Sequence, residues 1–227
     1  MIGIIGAMDK EIEAISNLME DKKIETISGI DYITGKAHGK EIVLAKCGIG
    51  KVFAAVCAQT MIIKYSPEII INTGVAGGLA EGFGLADIAI ADSVCQYDMD
   101  TTPIGDPLGL ISGINMIYFE SDKDFVADIE KCMKKLDINF KKGVIASGDA
   151  FVSDSVKKKH IVDSFNAIAC EMEGGSIGHV CYINNTKFGV LRAISDNGDE
   201  NASEDYFVVM EKACAVLFKV VDSYLAM

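Results

Sequence analysis

The stretch from Cys170 to Asp196 constrains the fold more than any other. It reads Cys170-Glu171-Met172-Glu173-Gly174-Gly175, then an apolar helix-like run, then Val190-Leu191-Arg192-Ala193-Ile194-Ser195-Asp196. Two apolar strand-like runs, Ala167–Cys170 and Phe188–Ile194, each end in carboxylates. In open α/β sheets the ligand crevice lies beyond the carboxyl ends of the strands. Acids placed there face a site rather than a core. Taken singly, Glu173 reads as well as a helix cap and Asp196 as a turn cap. Taken together, with Arg192 on the same strand as Asp196, they read as a functional cluster.

Arg192 is the single arginine of a 227-residue chain whose net charge is −12. One arginine cannot build an arginine clamp on phosphate, although lysines can still bind one. The acidic balance argues against nucleic acid and anionic membrane as partners. No apolar run reaches membrane-spanning length. The opening Met1–Gly6 has neither a basic segment nor a cleavage site, so it is expected to be a buried first strand rather than a leader. Seven cysteines are scattered without a CxxC pair, and three histidines are dispersed. Both point to a reducing cytoplasm and to no metal or other cofactor. A chain that is 50% hydrophobic at this length supports one large domain, residues 1–227.

Along the chain, Ile2–Ile5 reads as a strand, and Asp9–Met19 as a helix with apolar residues at Ile12, Ile15, Leu18 and Met19. Glu11 falls in its first turn, where an acid suits the helix dipole. Ile24–Ile27, Ile30–Ala37 and Glu41–Cys47 read as three strands separated by turn residues. Gly48-Ile49-Gly50-Lys51 opens a helix to about Tyr65. Glu68–Asn72 is a buried strand followed by Thr73-Gly74-Val75-Ala76-Gly77-Gly78-Leu79, where glycines permit close approach to a ligand or a tight turn. Asp87–Val94 is a strand. Residues 98–118 form a long loop whose apolar Met99, Ile104, Leu108, Leu110 and Ile111 are hard to justify as solvated. Asp122–Leu136 is an amphipathic helix, Lys141–Ser147 a strand, and Asp154–Phe165 a helix whose Lys157-Lys158-Lys159 run reads as a solvated face. Gly174–Tyr182 is a small-residue helix. A last helix starts at Ser203 or Asp205 and runs to Leu225. Gly3-Ile4-Ile5-Gly6 lacks the spacing of a dinucleotide fingerprint, and Gly48–Lys51 lacks that of a P-loop.

Six motifs then coincide in order: Gly3–Met8 with Glu11, Gly48–Lys51, Asn72-Thr73-Gly74 with Ala76-Gly77-Gly78, Ser147–Phe151, Glu171-Met172-Glu173 and Arg192–Asp196. Together they closely resemble the bacterial 5′-methylthioadenosine/S-adenosylhomocysteine nucleosidases of the purine nucleoside phosphorylase superfamily, over essentially the whole chain. The resemblance implies a single-domain α/β fold, a three-layer αβα sandwich around a central mixed, partly barrel-like sheet. It also implies a homodimer acting on a small nucleoside. Glu11 takes the place of the base that activates water, Asp196 that of the acid that protonates adenine N7, and Glu173, with the Met172 backbone, that of the ribose-hydroxyl binder. Phe151 takes the place of the ring that stacks on adenine, the Val152 backbone of the contacts to its edge, and Gly77 of a backbone contact. Arg192 corresponds to a partner of Glu11 and the water, Ser195 to a substrate contact beside Asp196, and Met8, Ile49 and Val75 to pocket walls. Thr101 and Ile104 correspond to positions that reach the neighbouring subunit's pocket. Val75 stands where the family often has serine. The segment after Asp196 is shorter than the family's, so its pocket-covering aromatic corresponds to Tyr206 or Phe207.

The chemistry explains these residue types. Adenine leaves poorly as an anion, and protonating N7 lets it leave neutral, so an acid must stand beside the purine. Carboxylates near the ribose stabilise its oxocarbenium character, and a second carboxylate positions water. A phosphorylase on the same fold, a non-catalytic binder of adenosine derivatives and, more distantly, a dinucleotide oxidoreductase are the alternatives. Methylthio, homocysteinyl, deoxy and futalosine-type groups all remain open at the 5′ position.

Overall fold

In the computed structural model, which describes residues 1–227, helices and strands alternate along the chain. The order is β1 (Ile2–Gly6), α1 (Asp9–Leu18), β2 (Glu20–Ile27), β3 (Ile30–Ala37), β4 (Lys40–Lys46), α2 (Lys51–Tyr65), β5 (Ile69–Gly78) and β6 (Ile88–Gln96). After the 98–118 segment come β7 (Phe119–Glu120), α3 (Lys123–Leu136), β8 (Phe140–Ser147), α4 (Ser155–Phe165), β9 (Ala167–Glu171), α5 (Gly174–Ile183), β10 (Lys187–Asp196) and α6 (Ala202–Leu225).

All ten strands join one mixed sheet. Its hub is β5, ten residues long and buried throughout. Its first half pairs in parallel with β1, its last residues pair antiparallel with β9, and β10 runs parallel beside it along its length. Because β10 also pairs with β6, β6 with β8 and β8 with β9, these five strands close into a barrel-like ring. Strands β4, β3 and β2 extend the sheet outward from β1.

Apolar side chains pack on both faces. One core layer joins α1, α3 and α6 to the sheet through residues such as Ile15, Ile129, Leu217 and Val221. The opposite layer carries α2 and α5 through Cys57, Met61, Ile177 and Cys181. A smaller cluster holds α4 through Ile161 and Phe165. The result is the three-layer αβα arrangement implied by the resemblance. Helix starts follow local chemistry: Asp122 accepts from the Phe125 N–H at 2.9 Å and Asp154 from the Lys157 N–H at 2.7 Å.

Three differences from the sequence reading have physical causes. The Thr73–Gly78 stretch is strand rather than turn, because its small residues pair along β10 and, at Gly77 and Gly78, with β9. Strand β2 begins at Glu20 instead of Ile24; it is an exposed edge, and charges on such an edge hide it from an apolar-run search while blocking further pairing. In the 98–118 segment, Ile111 is buried, and Met99 and Leu108 pack against the chain's own core. Of the five apolar residues singled out there, Ile104 alone is fully exposed, at 81%.

Phe125 of α3 fills the space above Gly189 of β10, where any Cβ would run into its ring, and meets Tyr224 edge-on at 5.4 Å. Phe125→Ala should therefore cost about 3–5 kcal/mol of folding stability, read as a lower urea midpoint with an unchanged slope.

Candidate active site

The carboxyl ends of β1, β5, β8, β9 and β10 converge on a cavity of about 450 Å³, a size that suits a small organic ligand. It brings together Glu11, Glu173 and Asp196 with Met8, Ile49, Val75, Gly77, Phe151, Val152, Met172, Arg192 and Ser195. Every residue assigned from the sequence to this subunit's pocket lines it. Thr101 and Ile104 do not: Thr101 bonds Asp106 at 2.8 Å and Ile104 points to solvent.

Glu11 sits in the first turn of α1, where its carboxyl both caps the helix start and lines the cavity. Its Oε2 accepts from the N–H groups of Ala7 (2.7 Å) and Met8 (3.0 Å), capping the helix start, while Oε1 accepts from the Val75 N–H at 3.0 Å. Burial pushes its carboxyl up, against the opposing pull of Arg192 and these three backbone donors. Gly74 lies between Glu11 and Arg192, and a Cβ there would collide with both.

The second cluster centres on Arg192, which is 1% exposed. Its Nη2 donates to Asn72 and Glu171 and lies 3.4 Å from Glu173 Oε2, while Nη1 is 3.5 Å from the Val75 carbonyl. Its ion pairs thus go to Glu171 and Glu173 instead of to Glu11. Glu171 also accepts from the N–H groups of Glu173 (2.9 Å) and Gly174 (2.8 Å) and from Ser147 Oγ. Ser147 accepts in turn from the Gly175 N–H at 2.6 Å. This network shapes the turn that presents Glu173, whose Oε1 accepts from the Gly50 N–H at 2.9 Å. Glu173 therefore bridges two elements and caps no helix with its side chain. Burial raises its pKa, and Glu171 and Glu11 add to that rise while Arg192 opposes it.

Asp196, 2% exposed, ends β10. Its Oδ2 accepts from Ser195 Oγ at 2.8 Å and its Oδ1 from the Gly198 N–H at 2.9 Å. Burial raises its pKa against these two bonds, and Asp205 and Asp199 push it the same way. The carboxyl is thus held in one orientation in surroundings that favour its protonated form.

Phe151, which also lines the cavity, is half-exposed and meets Tyr206 edge-on at 5.8 Å. Tyr206 donates to Met8 Sδ at 3.3 Å, so it spans the opening, whereas Phe207 is 81% exposed at the rim. The backbone N–H and C=O of buried Val152 take no partner within the chain.

Sequence reasoning missed Glu171, Ser147 and Asn72 as site residues, although all three lie inside its motifs. A signal existed for Glu171, a strand-end acid two positions before Glu173. Asn72 gave only a polar residue in a buried strand, now bonded to the Ile5 carbonyl at 3.0 Å and to Arg192. Ala7, Ala76, Ala150, Cys170 and Ser203 complete the lining.

A strand-end cavity lined by four buried carboxyls, one arginine and a half-exposed ring suits an enzyme that handles a small polar ligand with a flat ring. The family model of the phosphorylase superfamily matches residues 1–226, and the chain belongs to that superfamily as an enzyme of its nucleoside phosphorylase and nucleosidase type. Among solved structures it is similar to the 5′-methylthioadenosine/S-adenosylhomocysteine nucleosidase of Neisseria meningitidis in complex with methylthio-immucillin-A. The two are 32% identical with a TM-score of 0.96, over 99% of this chain and 98% of that one. It is similar to the MTA/SAH nucleosidase of Streptococcus pneumoniae in complex with 8-aminoadenine, with 34% identity and a TM-score of 0.93 over 99% and 98% of the two chains. It is equally similar to the futalosine hydrolase of Helicobacter pylori, with 35% identity and a TM-score of 0.94 over 98% and 96%.

The raised pKa of Asp196 carries a stability consequence. The folded chain holds this proton more tightly than the unfolded one, so wild-type stability falls as pH rises from about 4, the unfolded carboxyl value, through the folded value. Asparagine suffers no such loss. The thermal midpoint of Asp196→Asn relative to wild type should therefore be higher at about pH 8 than at about pH 4. An inverted difference would mean that the carboxylate is stabilised as the anion.

Proposed function

We propose that this enzyme hydrolyses the adenine N-glycosidic bond of 5′-methylthioadenosine and S-adenosylhomocysteine, and of 5′-deoxyadenosine, releasing adenine and the 5′-substituted ribose. The observation that carries this reading is the division of four buried carboxyls around one cavity, with Glu11, Glu171 and Glu173 around Arg192 and Asp196 held separately by Ser195 and Gly198. Adenine stacks on Phe151 and bonds the free Val152 backbone groups. Asp196, whose surroundings favour the protonated form, delivers a proton to N7. Glu173 and the Met172 backbone bind the ribose hydroxyls, and Glu11 orients and deprotonates water. Gly77 contributes a backbone contact, Ser195 holds Asp196, and Met8, Ile49 and Val75 wall the ribose and 5′ group.

Hydrolysis is favoured over phosphorolysis because the single arginine is committed to carboxylates. No second guanidinium exists to hold a phosphate nucleophile. Val75 brings no hydroxyl to the water, so backbone N–H groups alone bond Glu11. The similarity to a futalosine hydrolase supports a second reading, in which a futalosine-type 5′ extension is also accepted. The proposed activity belongs to methionine salvage and methyl-cycle recycling, and the seven free cysteines suit a reducing cytoplasm.

A homodimer completes the site in this reading, with Thr101 and Ile104 reaching the neighbouring pocket. Support comes from an apolar face that the sequence reading did not single out. Val52, Phe53, Val56 and Ile63 of α2 are exposed, with Tyr182 and Ile183 of the adjoining α5. This face follows Ile49, which lines the cavity, and a cluster of exposed large apolar side chains supports an interface there.

Adenine should appear from 5′-methylthioadenosine without phosphate, and added phosphate should not raise the rate. Asp196→Asn should lower kcat by about 10²- to 10⁴-fold with KM less affected. Strict phosphate dependence with a ribose-1-phosphate product would refute hydrolysis. Phe53→Glu should shift sedimentation from dimer to monomer and reduce turnover; a wild-type monomer with full activity would refute the shared site.

A further inference from the structure

The Lys157-Lys158-Lys159 run reads in the sequence as a solvated helix face, and the structure separates the three. Lys159 pairs outward with Asp163 at 2.7 Å, and Lys157 lies over the Tyr97 ring at 5.6 Å. Lys158 turns inward. Its ammonium donates to the Asn197 carbonyl at 2.7 Å and to the Gly78 carbonyl at 3.3 Å. Gly78 is the last residue of β5, and Asn197 follows Asp196 at the end of β10. One half-buried cation therefore ties together the ends of the two central strands.

The Asn197 carbonyl and the Gly198 N–H belong to one peptide unit. That N–H is the group that donates to Asp196 Oδ1 at 2.9 Å. Because the peptide is planar, fixing its carbonyl also fixes its N–H. A cation on the carbonyl side polarises the unit and strengthens the N–H as a donor. With Oδ1 occupied in this way, Oδ2 is the oxygen free to take a proton. Its neighbour, the Ser195 hydroxyl, has a second acceptor in the Ala76 carbonyl at 3.3 Å, so it can turn away when Oδ2 is protonated.

We propose that Lys158 is a positioning residue for Asp196, acting through the Asn197–Gly198 peptide to hold the carboxyl with Oδ2 as the proton-carrying oxygen. The inference rests on the reading of Asp196 as the acid. The other ionisable groups around Asp196 are Asp199 on its own loop, Asp205 and Tyr206 of α6 and Cys170 of β9. Asp199 and Asp205 favour the neutral carboxyl; Lys158 alone among them bonds the peptide that donates to it. Helix α4 is anchored independently by the Asp154 cap and by buried Ile161 and Phe165, so removing the ammonium should leave the helix in place.

The test compares wild type with Lys158→Met, Lys158→Gln, Lys158→Arg and, as an outward control, Lys159→Met. Two measurements are made: the pH profile of kcat on 5′-methylthioadenosine, and the carboxyl-carbon NMR titration of Asp196, identified by its loss in Asp196→Asn. Removing the cation destabilises the anion and raises the Asp196 pKa. In Lys158→Met the alkaline limb of kcat and the titration should therefore both move up by about half a pH unit. The plateau should fall roughly 10-fold with KM within about 2-fold, as orientation is lost. Lys158→Gln, which keeps a donor without charge, should retain more of the plateau yet show the same shift. Lys158→Arg should restore both, and Lys159→Met should match wild type. A lower thermal midpoint in Lys158→Met with limb and titration unmoved would overturn the proposal, leaving a merely structural lysine. If wild type released no adenine, the functional reading would fall, and the titration alone would decide whether Lys158 acts on Asp196.

Discussion

The site depends on one buried charge. Arg192 is enclosed, and an unpaired guanidinium in such a place costs several kcal/mol. The chain offsets this with Glu171, Glu173 and Asn72 at one nitrogen and the Val75 carbonyl near the other. The ion pairs do more than neutralise it. Because Glu171 also accepts from the Glu173 and Gly174 N–H groups, the cation is wired to the backbone turn that presents Glu173. With Glu11 close by, one positive group faces three carboxylates in a region that excludes water. Burial raises the pKa values of both Glu11 and Glu173 against the pull of Arg192, and at Glu173 the neighbouring Glu171 and Glu11 add to the rise.

The sheet supplies the second constraint. Strand β5 carries small residues at its end, so it can lie against β10 while exchanging β1 for β9 as its other neighbour. That exchange closes the ring and draws five strand ends to one cavity. Glu11, Glu173 and Asp196 come from the first, ninth and tenth strand ends or the turns after them, and stand together only because of it. Asp196 is then fixed by its own loop, which Lys158 pins from α4.

Much of this was legible in the residues. Strand-end acids at Glu173 and Asp196, the acid in the first turn at Glu11, and the glycine-rich motifs pointed to the cavity's lining. They did so because strand periodicity and capping chemistry act over a few residues. What stayed hidden involved partners far apart in sequence. Nothing local distinguishes Lys158 from Lys157 and Lys159; only its carbonyl partners do, and they lie 39 and 80 positions away. The start of β2, Glu20–Lys23, escaped because an edge strand needs no apolar run, whereas Ile24–Ile27 read as strand. The apolar face of α2 escaped because a helix packed on one side looks, by composition, like one packed on both.

By itself the sequence determined the alternation of helices and strands, the acids at the strand ends and the resemblance that orders the motifs. It also determined that one guanidinium must serve the whole chain. Only the tertiary structure decided that Thr73–Gly78 is strand and not turn, since neighbouring strands supply the hydrogen bonds that a turn would have made internally. Only it decided that Arg192 pairs with Glu171 and Glu173 rather than with Glu11. A charge buried among several opposite charges takes the partners whose geometry the packed backbone allows, and no spacing along a chain reports that geometry.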